Sequence, residues 1–288
     1  MRFTSTQSEL FEPWLKFKHP IVRQLAFVVA SPNILKSIPN ELSIHHSFQI
    51  HNDAFWTIQF SRYQTRLFEL DQNPQELIEF LHPLKSTRLG LRFEYLMWFW
   101  LQDSDYHDYL IIGHSIQIID GKHTIGELDF LLLNKTTNQV EHWEVALKFY
   151  LAEQSLLLPE WYGLNRSDTL FRKLNHFSQK QFQFHQVQAH QIDQKYAVMK
   201  GQLYLPNSEI NFDELPTWIN QSRRIGTWGN QIYRNFYRLE RLEWICPNLF
   251  QSSPNAQWWY NGLYRNFDNS ADYMFRQADY INSTVRIM

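Results

Sequence analysis

Two neighbouring stretches, Thr124 to Leu133 and Glu141 to Leu151, alternate apolar and polar positions with a period of two, which predicts β-strands. In the first, Leu128, Phe130 and Leu132 share one face, while Glu127 and Asp129 fall on the other in line with Leu131 and Leu133. In the second, Trp143, Val145, Leu147 and Phe149 form an apolar face opposite His142, Glu144, Ala146 and Lys148. Carboxylates in such surroundings are costly unless a cation or strong hydrogen bonds satisfy them. A divalent metal is the simplest such cation. A further strand, "YLIIGHSIQIID", comes just before, and the turn signals "DGK" and "NKTTNQ" separate the three. Short turns between successive strands predict an antiparallel meander.

Helical patterns flank the meander. Residues 20–30 predict a short helix, opened by Pro20 and stopped by "SPN". In "QNPQELIEFLHPL", Asn73 is a cap, Pro74 the first helical position, and Leu77, Phe80 and Leu81 the apolar stripe. Segment 41–66 alternates only loosely and reads as strand or irregular structure. Residues 86–102 predict a helix capped by Ser86 or Thr87, with Leu91, Trp98 and Leu101 on one face and Glu94 inside that stripe. After the strands, a polar–apolar run from about Leu164 reads as a long helix with Leu170, Leu174 and Phe177 inward. "YAVMKGQLYLP" then predicts a strand ended by Pro206. The fold class is α/β, with a helical N-terminal extension over 1–84, a core over 85–206 and a mixed α/β region over 207–288 packed on it.

Composition narrows the classes. The chain has 288 residues, 44% hydrophobic and 16% aromatic with only 9 glycines, which favours a folded protein over a disordered one. A formal net charge of −2 gives no global attraction to nucleic acid or anionic membranes, so any such binding needs a local patch, a metal or a partner. The only cysteine is Cys246, which excludes an intramolecular disulfide and a cysteine-based zinc site. The first twenty residues lack an apolar signal-peptide core, and the densest apolar run, around Tyr95 to Leu101, is too short to span a bilayer. A cytoplasmic, non-membrane protein is expected.

The succession helix, three-stranded meander, helix, strand, with Glu94 on the first helix, Asp129 in "GELDFLLL" and Glu144 in "WEVALK", resembles the core of the PD-(D/E)XK nuclease superfamily, the restriction-endonuclease-like fold. More narrowly, "RLGLRFEYLMWFWL", "TIGELDFLLL", "HWEVALKFYL" and "DTLFRKLNH" together resemble a bacterial family within it, domain-of-unknown-function family 1853. "PIVRQLAFVVASPNIL" and "KGQLYLP" extend the likeness over most of residues 20–206.

The resemblance implies phosphodiester hydrolysis assisted by Mg²⁺ or Mn²⁺, which take oxygen ligands. It implies that Asp129, Glu144 and the Val145 carbonyl hold the ion and that Glu94 reaches it from the helix, with Glu127 and His142 auxiliary. The usual motif places a lysine two residues after the acid; here that position is Ala146, and Lys148 follows four residues after Glu144. At roughly 3.3 Å per residue Lys148 is about 13 Å along the strand instead of about 7 Å. Either a bulge brings Lys148 back, or Lys173 on the following helix supplies the positive charge.

Plainer readings compete: a solvated sheet face for Asp129 and Glu144, a salt bridge for Glu94, exposed lysines, and hydrogen-bonded histidines at His114 and His142. Arg88 and Arg92 are candidate phosphate contacts. So are Arg234, Arg238 and Arg241, which follow helical spacing beside Arg223, Arg224, Trp228, Tyr233, Phe236 and Tyr237; an amphipathic helix with buried aromatics is the alternative. The expected function is a metal-dependent nuclease acting on DNA or RNA. The alternative is a catalytically impaired nuclease-fold module that binds nucleic acid or a protein partner.

Overall fold

The computed structural model describes residues 10–207, 214–247 and 260–277. Its centre is one twisted mixed sheet. The meander is β1 (Tyr109–Asp120), β2 (His123–Asn134) and β3 (Gln139–Ala152), each antiparallel to the next. The short β4 (Trp161–Tyr162) pairs with the far end of β3, and a small hairpin, β5 (Gln186–Val187) and β6 (His190–Gln191), stands apart. β7 (Gln194–Pro206) runs parallel to β3, and β8 (Gly226–Gly229) runs parallel to β7. β9 (Phe236–Arg238), β10 (Gly262–Asn266) and β11 (Asp272–Phe275) complete the sheet, whose strand order is β1-β2-β3-β7-β8-β11-β10-β9.

Alternation along β3 sorts the two layers. Trp143, Leu147, Phe149 and Leu151 enter the main core with α1 (Pro20–Ala30), α2 (Asp53–Gln72) and α4 (Leu89–Gln102). Ala146, Tyr150 and Ala152 face the other way, against Leu170, Leu174 and Phe177 of α5 (Leu170–Gln179) and the apolar residues of 34–48. The short α3 (Gln75–Leu81) lies beside α4. Helices therefore cover both faces of the sheet, as parallel neighbours such as β3 and β7 require. Close to mid-strand, Lys148 opposes Gly201, whose φ of +123° is open only to glycine. A Cβ there would lie 1.9 Å from the Lys148 carbonyl oxygen.

Several expectations need correction. Residues 53–66, read as strand or irregular, are the first part of α2, which Asn52 caps by accepting the Phe55 N–H. Asn73 ends α2 instead of opening α3, and Pro74 is the cap of α3. α4 begins at Leu89, because the Ser86 hydroxyl turns back onto the Arg88 N–H and holds the chain extended there. Its buried residues are Leu89, Phe93, Leu96, Met97, Phe99, Trp100 and Leu101, so Leu101 is inward as expected while Leu91, Glu94 and Trp98 lie half-buried on its flank. α5 is shorter than read, since Asn165 turns the chain and Thr169 caps the helix. In the C-terminal region the described residues add strands to the sheet, together with a 3-10 turn, Arg241–Trp244.

Candidate active site

β2 and β3 pair only from Phe130↔Trp143 to Asn134↔Gln139, and then they separate. The next opposed positions beyond the last pair are Asp129 and Glu144. A wedge of chain after α5 fills the opening. Gln181 reaches Glu144, the Phe182 ring meets the His142 ring edge-on at 5.1 Å, and Phe184 packs on Gly126. The Phe182 carbonyl is held in turn by Lys195 Nζ at 2.6 Å.

At the fork, side chains take over from the ladder. Asp129 Oδ2 accepts the Val145 N–H at 2.8 Å, and the Asp129 N–H is directed at the Glu144 carboxyl. Glu144 is fully buried, with Oε1 2.7 Å from His142 Nε2 and Oε2 accepting from the Gln181 amide. Burial and the like charge of Glu144 push the Asp129 carboxyl up to about 8, against the pull of the Val145 N–H. Burial also raises Glu144 to about 8, and Lys173 is the largest opposing influence. His142 is forced down to about 3 by burial, so it is neutral and its Nδ1 has no partner. Near neutral pH the carboxyl pair retains protons unless a cation replaces them.

Two lysines were candidates for the positive charge. Lys148 Nζ is 2.7 Å from Asp168 Oδ2 and lines an open cleft. Lys173 Nζ donates to Gln181 Oε1 at 2.9 Å and sits 4.0 Å over the Phe177 ring, and its charge acts on both Glu144 and Asp129. Gln181 thus links the lysine to the glutamate through the two ends of one amide. Burial lowers the Lys173 pKa, and the two carboxylates raise it.

Glu94 comes from the other layer. It is held on β1 by His114 Nε2 at 2.9 Å and Ser115 Oγ at 3.2 Å. Successive strand residues normally point to opposite faces. Here Ser115 has φ of +50°, which brings both side chains onto one carboxylate. Trp98 stacks on His114 at 4.4 Å. Glu94 acts on Asp129 through its charge, and Glu127 is exposed on β2 beyond the fork. Among the described residues, no three His, Cys, Asp or Glu side chains gather closely enough to hold a metal ion.

The candidate arginines separate. Arg92 donates to Gln24 Oε1 at 2.7 Å and is turned into the fold, whereas Arg88 is exposed on the cleft that Glu94 and Lys148 also line. The predicted helix over Arg234, Arg238 and Arg241 does not form. Asn235 has φ of +65°, Phe236–Arg238 is β9, and the arginines fall on different elements. Trp228, Phe236 and Tyr237 are core residues, and Arg223 and Arg224 pair with Glu12. Arg241 alone of that group reaches the cleft. Sequence reasoning missed Gln181, Asp168 and Ser115. Only the Asn165–Thr169 polar run beside α5 hinted at Asp168.

The family model described as a domain of unknown function, DUF1853, matches residues 23–274, most of the chain. The chain belongs to DUF1853. No curated protein and no solved structure matches it. This DUF1853 chain has no helix, among its described residues, long and apolar enough to cross a membrane.

Proposed function

We propose that this protein is a metal-dependent nuclease with a restriction-endonuclease-like core of the PD-(D/E)XK type, hydrolysing phosphodiester bonds in DNA or RNA. The observation that carries the reading is the opposed pair Asp129 and Glu144 at the β2–β3 fork, a half-buried and a fully buried carboxyl whose ionisation is held back by burial and, at Asp129, also by the charge of Glu144. An oxygen-only donor set with surplus negative charge fits Mg²⁺ or Mn²⁺, which commonly take one or two carboxylates and fill the remaining positions with water and substrate phosphates. Asp129 and Glu144 would hold the ion. It would supply charge neutralisation and an activated water at phosphorus. Gln181 and His142 fix the Glu144 carboxyl, and Lys173 offers the positive charge that Ala146 cannot.

The test is cleavage of single-stranded and duplex DNA and RNA with Mg²⁺ or Mn²⁺. Wild type should cleave at least about a hundredfold faster than Asp129→Ala, as for loss of a main electrostatic contributor. Lys173→Ala should lose more than Lys148→Ala. Cleavage by wild type no faster than by Asp129→Ala sinks the reading.

One observation favours a second reading, a nuclease-fold module that binds nucleic acid or a protein without turnover. Glu144 is wholly buried with both oxygens engaged, and Lys148 is committed to Asp168. That reading predicts association without cleavage under the same conditions.

A further inference from the structure

The departure of β2 leaves more than an acidic pair. β3 is paired with β2 as far as Trp143 and with β4 only from Leu151, so residues 144–150 have no strand neighbour on that side. A depression of about 500 Å³ lies there, and a second of about 570 Å³ adjoins it along α5; both are lined by Asp168. Arg88, Lys148 and Arg241 rim the first, and Arg172, Lys173 and Lys180 rim the second.

Many arginines of the fold are spent on ion pairs: Arg62, Arg66, Arg166, Arg223, Arg224 and Arg265 each contact a carboxylate. Arg88, Arg172, Lys180 and Arg241 are exposed and have no carboxylate partner among the described residues. Arg172 bonds the Ser167 carbonyl, and Arg241 stacks on Trp244 at 4.2 Å, which hold both in place. On a chain of net charge −2, this is a local surplus aligned with an open groove.

We propose that this groove binds one unpaired polynucleotide strand, with phosphates met by Arg88 and Arg241 on one side of Asp168 and by Arg172 and Lys180 on the other. The binding claim deepens the nuclease reading by naming its substrate class, and it depends on that reading only for what happens after binding. Three features select a single strand. Each depression has the volume of a small-ligand site, room for a nucleotide or two and not for a duplex. The first is floored by half-buried Leu164 and by the outer edges of the core residues Leu147 and Phe149, an apolar strip against which an unstacked base can lie. Beyond the Val145 N–H, which Asp129 takes, the unpaired edge of β3 offers backbone polar groups to a strand laid alongside it. The run of unneutralised cations selects a polyanion over a neutral peptide.

The experiment is fluorescence anisotropy with the full chain in EDTA, so that binding is read without cleavage. The probes are a short labelled DNA strand, the RNA of the same sequence, and the blunt DNA duplex. At least one single strand should bind ten-fold or more tighter than the duplex, and the tighter of the two identifies the preferred sugar. Arg172→Ala combined with Arg241→Ala should weaken strand binding about ten- to a hundredfold. It should also flatten the log–log salt dependence by about 0.7 for each phosphate no longer neutralised. Arg62→Ala, which removes a charge paired to Asp108, should leave binding unchanged. Both altered arginines are exposed, and an unchanged urea midpoint verifies folding. Duplex binding as tight as either strand, a double variant that binds like wild type, or displacement of the strand by polyglutamate at equal charge concentration overturns the proposal. Strand binding with no cleavage in Mg²⁺ or Mn²⁺ supports it while removing the nuclease reading.

Discussion

Asp129→Asn should make this protein more stable at alkaline pH than the native chain. The Asn side-chain oxygen can still accept the Val145 N–H, so the bond at the fork is kept while the charge facing Glu144 is removed. In the unfolded chain an aspartate titrates near 4, but here the folded carboxyl is raised to about 8. Its stabilising contribution is therefore complete below about pH 4 and is lost as pH rises towards 8, because folding must either retain a proton or bury a second negative charge. The slope is about 1.4 kcal/mol per pH unit per retained proton, so two units between pH 5 and 7 correspond to about 3 kcal/mol. Partial water access to Asp129 and the sharing of protons with Glu144 reduce this to about 1–2 kcal/mol. Urea unfolding midpoints at half-unit steps from pH 5 to 8, in EDTA, read the effect. The variant's advantage over wild type should grow steadily from pH 5 to about pH 8. Parallel curves, or a variant that loses stability faster than wild type as pH rises, would refute the placement of two facing carboxyls at the fork.

Gln181→Leu removes the amide that joins Lys173 to Glu144 and strands a buried carboxyl oxygen and a half-buried ammonium. It should cost about 1–3 kcal/mol in urea unfolding and lower any metal-dependent cleavage, whereas Gln181→Glu should restore the lysine contact but not the glutamate one. Gly201→Ala forces a Cβ against the Lys148 carbonyl in a left-handed backbone region. It should destabilise by more than about 3 kcal/mol, visible as loss of soluble protein or a lowered thermal midpoint.

The meander was legible because each strand has a clean period of two and a turn between it and the next, and β1 spans the residues the pattern indicated. α2 was not, although Trp56, Phe60, Tyr63, Leu67 and Leu70 follow helical spacing. Exposed Ile58 and Phe68 blur its polar face, and buried Gln59 interrupts its apolar one. The arginines near the C-terminus misled for the opposite reason. Regular spacing of charged residues says little about a helix when the aromatics between them are spent on strands. Asp129 and Glu144 stood out as acids in apolar surroundings, a signal carried by local sequence alone. Gln181 could not stand out, since its role exists only where the chain after α5 enters the gap between β2 and β3. Ser115 was hidden in the same way, because backbone handedness within an otherwise regular strand leaves no trace in residue type.

The Asp129 carboxylate occupies the place where another strand's carbonyl would otherwise meet the Val145 amide. The seam of the sheet is thereby fastened by a group that can gain or lose a proton. The proton on Asp129 changes the strength of that one bond, so chemical state and mechanical state share one hinge pin. The Val145 N–H, sitting on that pin, is a gauge of both.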